Sequence, residues 1–223
     1  MLALRWPFQQ ALTDHRTKSI GKFCVSEFTV LDQEMNTSQR LSLIKQELAA
    51  KSDDKTKDAF HKFVPTSQQV YGVRVPLLNQ LAKEHREGGF ELAEALWRSG
   101  AFEERLLAAK LLESLGKKDP EQTLGLAKKF APQVSDWAVC DTLGMQGVKG
   151  IVLKRQAEVL AWSNKLIRSK NPWQRRLGLV LLTHFVKDKN SHTQIKETLA
   201  KLGGDKEHYV KKAVEWLQRD LQK

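Results

Sequence analysis

Trp137 and Asp141 stand four residues apart in the run Ser135, Asp136, Trp137, Ala138, Val139, Cys140, Asp141, Thr142, Leu143. At helical spacing an indole and a carboxylate so placed share one face. Aspartate is a poor helix former and is rarely buried without a partner, yet its neighbours here are Val139, Cys140 and Leu143. An anion beside an aromatic face suits a cationic ligand, or positive charge that develops during a reaction. Arg176 offers a plainer explanation, an ion pair that only ties two helices together, and such pairs are weak evidence of stabilisation. Both readings stand on the residues alone. Trp137 and Trp216 likewise read either as core residues or as walls of a site, whereas Trp97 and Trp162 lie in apolar stripes and read as core.

Other chemistries find no support. Cys140 reads as a packed thiol, because no histidine lies near it in sequence. The two cysteines, Cys24 and Cys140, are far apart with no CxxC, and the six histidines show no ligand spacing. No metal, disulfide framework or cofactor is expected, and a reducing cytoplasm fits. There is no glycine-rich phosphate loop.

The elements that must position these residues read as helices. Apolar periods predict them near 53–64, 102–115, 120–130, 135–144, 153–168, 172–187, 191–202 and 207–221, with Pro76 in the first turn of another and Phe60 and Phe63 facing inward. Thr37 or Ser38 can cap the first. No alternating strand pattern is evident, so the fold class is all-α. Phe102, Trp137, Trp173 and Tyr209 each open a helix at spacings of 35, 36 and 36 residues. Three positions after each come Arg105, Cys140, Arg176 and Lys212. That period predicts a single-domain solenoid of stacked helix pairs, a right-handed superhelical array over 37–223 whose second helices present the basic residues on one side.

Of the 223 residues, 37 are Lys or Arg and 26 are Asp or Glu, for a formal charge of +11. Residues 1–34 are neutral, so the excess lies in the remainder. A basic excess of this size makes a polyanion such as nucleic acid the leading partner class. Residues 1–36 read as a loosely ordered extension, and Met35 as an alternative start. The apolar core Leu2, Ala3, Leu4 is too short for a secretory signal, and no run approaches the roughly 18–20 apolar residues that span a bilayer.

Four segments together resemble the DNA alkylation repair glycosylases of the AlkD type, which are built from HEAT-like helical repeats. They are Tyr71-Gly72-Val73-Arg74-Val75-Pro76, Trp137 with Asp141, Trp173-Gln174-Arg175-Arg176, and Lys212-Ala213-Val214-Glu215-Trp216. The resemblance runs from about residue 37 to the C-terminus. It implies a catalytic aspartate at Asp141, active-site tryptophans at Trp137 and Trp216, and an arginine of the cleft at Arg176. It also implies excision of cationic N3- or N7-alkylated purines from double-stranded DNA without flipping the base into a tight pocket. Arg105, Lys149, Arg175, Lys211 and Lys212 would then grip phosphates without reading sequence. Where such enzymes often carry an acid after the first tryptophan, this chain has Ala138, with Asp136 on the other side.

Three function classes follow: an alkylpurine DNA glycosylase, a non-catalytic repeat protein that binds damaged or branched DNA, and a protein-binding helical scaffold. The first two share duplex DNA as partner. A monomer in the cytoplasm is expected, associated with the nucleoid if it repairs DNA.

Overall fold

The computed structural model describes residues 35–223, so the expectation of a loosely ordered extension falls almost wholly outside the described residues. Among these the chain is all-helical, with eleven α-helices and no strand. They are α1 (Thr37–Ala50), α2 (Asp54–Phe63), α3 (Val75–Glu84), α4 (Gly89–Ser99), α5 (Phe102–Lys118), α6 (Pro120–Phe130), α7 (Trp137–Thr142), α8 (Gln156–Leu166), α9 (Pro172–Leu182), α10 (His192–Leu202) and α11 (His208–Leu221).

Local chemistry sets most boundaries. Asp119 caps α6 and Asn171 caps α9, each accepting a backbone N–H of the first turn while the following proline, which lacks that donor, opens the helix. The first cap is Asn36 rather than Thr37 or Ser38. Its side chain accepts from Gln39 N at 3.0 Å, and Gln39 Oε1 in turn accepts from Asn36 N at 2.9 Å. This reciprocal pairing satisfies two donors at once, which a lone hydroxyl cannot do. Phe63 also departs from expectation. Helix α2 ends there, Val64 turns inward at 2% exposure, and Phe63 is left 55% exposed.

Helices α3, α5, α7, α9 and α11 pack side by side in one layer. In the other, α4 and α6 cover α5, α8 covers α9, and α10 covers α11, while α1 packs on α4. This alternation is consistent with a helical repeat solenoid, and Phe102, Trp137, Trp173 and Tyr209 all fall at the start of a helix of the first layer. Helix α5 is buried nearly all round because it has neighbours on four sides. Within the second layer, Trp97 of α4 stacks on Phe130 of α6 with ring centroids 4.2 Å apart, and Trp162 of α8 is buried as well. Among the described residues no helix is long and apolar enough to cross a membrane.

Candidate functional site

Asp141 and Arg176 meet across α7 and α9. Arg176 donates from Nε to Asp141 Oδ1 at 2.9 Å and from Nη2 to Oδ2 at 2.7 Å, the two-pronged geometry that a guanidinium and a carboxylate share. Its remaining Nη1 donates to the Tyr209 carbonyl at 2.6 Å, so one side chain joins α7, α9 and α11. The pair is lopsided. Arg176 is 1% exposed, whereas the Asp141 side chain keeps 19% of its surface open. Burial raises the Asp141 carboxyl above its usual pKa, with Arg176 pulling the other way. The result is a carboxylate with one edge clamped by a buried cation and part of its surface facing outward.

Helix α7 is short and is held at both ends. At its start Asp136 is fully buried and caps the helix, with Val139 N donating to its Oδ1 at 2.9 Å. Burial pushes the Asp136 carboxyl up to about 6. Gln68 Nε2 reaches Asp136 Oδ2 at 3.2 Å and Ser135 Oγ at 3.1 Å, and the Trp137 indole donates to the Phe63 carbonyl at 3.0 Å. The segment 64–74 is thereby docked on α7. From the other side, the buried carboxylate of Glu103 accepts from Tyr71 N at 2.9 Å, Gly72 N at 2.7 Å and Val73 N at 3.0 Å. Gly72 has φ 90°, and a Cβ there would sit 2.6 Å from the Asp53 carbonyl, so this bend requires glycine.

Beyond Asp141 the helix widens into a π-helical turn, Leu143–Gly147. A Cβ at Gly144 would lie 2.6 Å from Val180, so the missing side chain lets α9 approach closely. The Gly144 carbonyl is satisfied by His184 Nε2–H at 2.8 Å. Burial lowers the His184 pKa, favouring the neutral ring. A π turn inside a helix is often found at functional sites. Here it directly follows the residue of interest.

Sequence-predicted residues divide in two. Trp137 sits one turn before Asp141 and is half-buried. Trp216 is also half-buried and lies two turns beyond Tyr209 on α11, the helix that supplies the carbonyl to Arg176. Cys140 is fully buried, its thiol pKa raised by burial and by the Asp141 charge, with Sγ 3.6 Å from the Trp173 carbonyl. Lys211 and Lys212 are exposed. Lys149 is exposed and pairs with Glu113 at 3.1 Å. Arg105 and Arg175 are different, because both guanidinium groups are engaged within the fold. Arg105 lies 5.3 Å over the Trp97 ring and donates to the Gln133 carbonyl at 2.9 Å. Arg175 makes a two-pronged pair with Asp205 at 2.7 and 3.1 Å, and donates to the Ser169 and Lys170 carbonyls. The expected basic row is corrected accordingly: of Arg105, Arg176 and Lys212, only Lys212 is exposed. The offset recurs in sequence, but the helices present that position differently.

A family model described as DNA alkylation repair enzyme matches residues 44–223. The chain belongs to that family. A search of curated proteins returned no match. Membership supports an enzyme role in DNA repair with DNA as the partner, and the match takes in Asp141, Arg176, Trp137 and Trp216. Among the described residues of this family member, no group of three or more His, Cys, Asp or Glu side chains is disposed to hold a metal ion.

Two parts of the neighbourhood escaped the sequence. Phe63 is exposed with its carbonyl fixed to Trp137, and Lys62 Nζ lies 5.4 Å from its ring centre. Trp173 and Tyr209 place their ring centroids 5.2 Å apart where α9 and α11 begin. The repeat spacing marked both of the latter as helix openers. It carried no sign that they would touch.

Proposed function

We propose that this chain is an alkylpurine DNA glycosylase of the AlkD type, which hydrolyses the N-glycosidic bond of cationic N3- or N7-alkylated purines in duplex DNA. The observation that carries the reading is the lopsided Asp141–Arg176 pair, a carboxylate oriented by a buried guanidinium and still partly open to solvent. An alkylated purine bearing positive charge is already a good leaving group and needs no general acid. The site has to stabilise the cationic sugar and direct water to C1′. Asp141 supplies the anion and accepts a proton of that water on its open side, while Arg176 prevents the carboxylate from turning away. Because the carboxylate is oriented before substrate arrives, little reorganisation is needed as charge develops.

Trp137, Trp216 and Phe63 offer aromatic faces to the lesion-bearing nucleotide. Lys211 and Lys212 supply phosphate contacts without base readout, with the exposed Lys149 free to exchange its partner Glu113 for phosphate. Ala138 leaves Asp141 as the acid of this helix face, since Asp136 is buried and spent on capping. The test is direct. DNA carrying N7-methylguanine is incubated with the protein, and free base and alkali-labile sites are measured. Release by the wild type that is lost in Asp141→Asn supports the reading. Tight duplex binding without release by the wild type points instead to a non-catalytic DNA-binding protein.

A further inference from the structure

The layer opposite Asp141 carries a groove of about 660 Å³ between the C-terminal part of α6 and helix α8. Its floor includes Pro132, Trp162 and Leu166, and its rim carries Lys128, Lys165 and Arg168. None of these three cations makes an ion pair among the described residues. The acid on the lining is Glu158, and Arg155 already holds it at 2.8 Å. Each cation stands in or just past the last turn of its helix, where the helix dipole alone favours positive charge. The dipole does not account for an apolar floor open between them.

We infer that this groove binds an acidic peptide segment of a partner protein, with one aromatic or aliphatic side chain seated against Pro132 and Trp162 and its carboxylates on Lys128, Lys165 and Arg168. Charge complementarity selects the sign of the partner, and the apolar floor selects a peptide over a nucleic-acid strand. The apolar surface left open is that of Pro132 with an edge of Trp162, enough to seat one apolar side chain, and the phosphates of a strand gain nothing from it. A groove of this volume also accepts a side chain far more readily than a duplex. The surface is independent of the proposed catalytic site, because neither Asp141 nor Arg176 lines it.

The test uses the full chain and a short fluorescein-labelled peptide rich in Asp and Glu with one central Phe, read by anisotropy. The expected result is saturable binding that weakens with salt. Lys128→Glu with Arg168→Glu should weaken it at least about tenfold, as like charges across an interface do. Ala161→Trp, at an exposed position on the lining, should fill the groove and weaken binding similarly without reversing any charge. Thermal melts check that each variant is folded, and excision of N7-methylguanine should be unchanged in both. The inference is overturned by absence of binding at about 100 μM peptide, a level that half-saturates a site whose Kd is of that order. It is equally overturned by binding that survives both variants, or by displacement of the peptide with undamaged duplex DNA.

Discussion

Arg176 grips both oxygens of Asp141 from a position with almost no solvent exposure, while Asp141 keeps an open edge. A structural tie and a catalytic anion are therefore one arrangement, and mutation must separate two effects on the same residues. Asp141→Asn leaves a buried guanidinium unpaired and should cost about 3–5 kcal/mol in stability. It should also slow excision by at least about 10²-fold. Adding Arg176→Met removes the stranded charge, so most of the stability should return while excision stays lost. A double variant that regains both would leave Asp141 with a structural role only. Excision by the wild type should also fall on acidification through a pKa above the ordinary aspartate value, since burial raises that of Asp141 and the ionised form is the active one.

Asp136 gives a pH prediction of its own. Its carboxyl titrates near 6 in the folded protein against an ordinary value of 3.8. The native state thus holds this proton more tightly than the unfolded chain does. The contribution to stability is full below 3.8 and is lost as pH rises to about 6. Asp136→Asn keeps an acceptor for Val139 N and removes the buried charge. The variant should melt with a weaker pH dependence across that window, and at pH 7 it should be at least as stable as wild type, by up to about 3 kcal/mol for a shift of this size. A melting profile that keeps the wild-type slope in Asp136→Asn would assign the titration to another group.

The basic residues sort by what already occupies them. Replacing Lys211 and Lys212 with Ala should make the logarithm of DNA affinity fall less steeply with the logarithm of salt, by roughly 1–2 units of slope, because each neutralises about one phosphate. Arg175→Ala should leave the slope alone and lower the melting temperature, since its guanidinium is committed to Asp205 and two carbonyls. Salt titrations of both proteins on one undamaged duplex decide it. A shallower slope in Arg175→Ala would mean that DNA competes with Asp205.

What could be read from the sequence follows from how locally each feature is determined. The starts of α6 and α9 are written in Asp119-Pro120 and Asn171-Pro172, whose chemistry acts within one turn. The order of helices and the layer-opening aromatics follow from apolar periods, which burial enforces. The Asp141–Arg176 contact was legible because one repeat separates its partners, as stacking of neighbouring units requires. The fate of Arg175 was not, since Asp205 lies 30 residues on in a loop with no periodicity to place it. Nor was the π turn, which depends on close packing of Gly144 against Val180. The same holds for Phe63, where an apolar residue at inward spacing is turned outward because its helix stops at that position.

Phe63 carries the last prediction. A phenylalanine 55% exposed next to a half-buried tryptophan costs solubility and contributes little to the core, so it invites a functional explanation. The bond that ties it to Trp137 runs through its backbone carbonyl and does not need its ring. Phe63→Ala should therefore leave the position of Trp137 unchanged and shift stability by no more than about 0.5 kcal/mol, as surface substitutions do. If the ring stacks on a base or sugar, the same change should weaken binding to DNA containing an abasic-site analogue by about 1–3 kcal/mol, and Phe63→Tyr should restore it because the aromatic face is kept. Affinity and melting are to be measured on the same samples. Equal affinities for wild type and Phe63→Ala, with both fully folded, would show that the Phe63 ring makes no contact with the DNA.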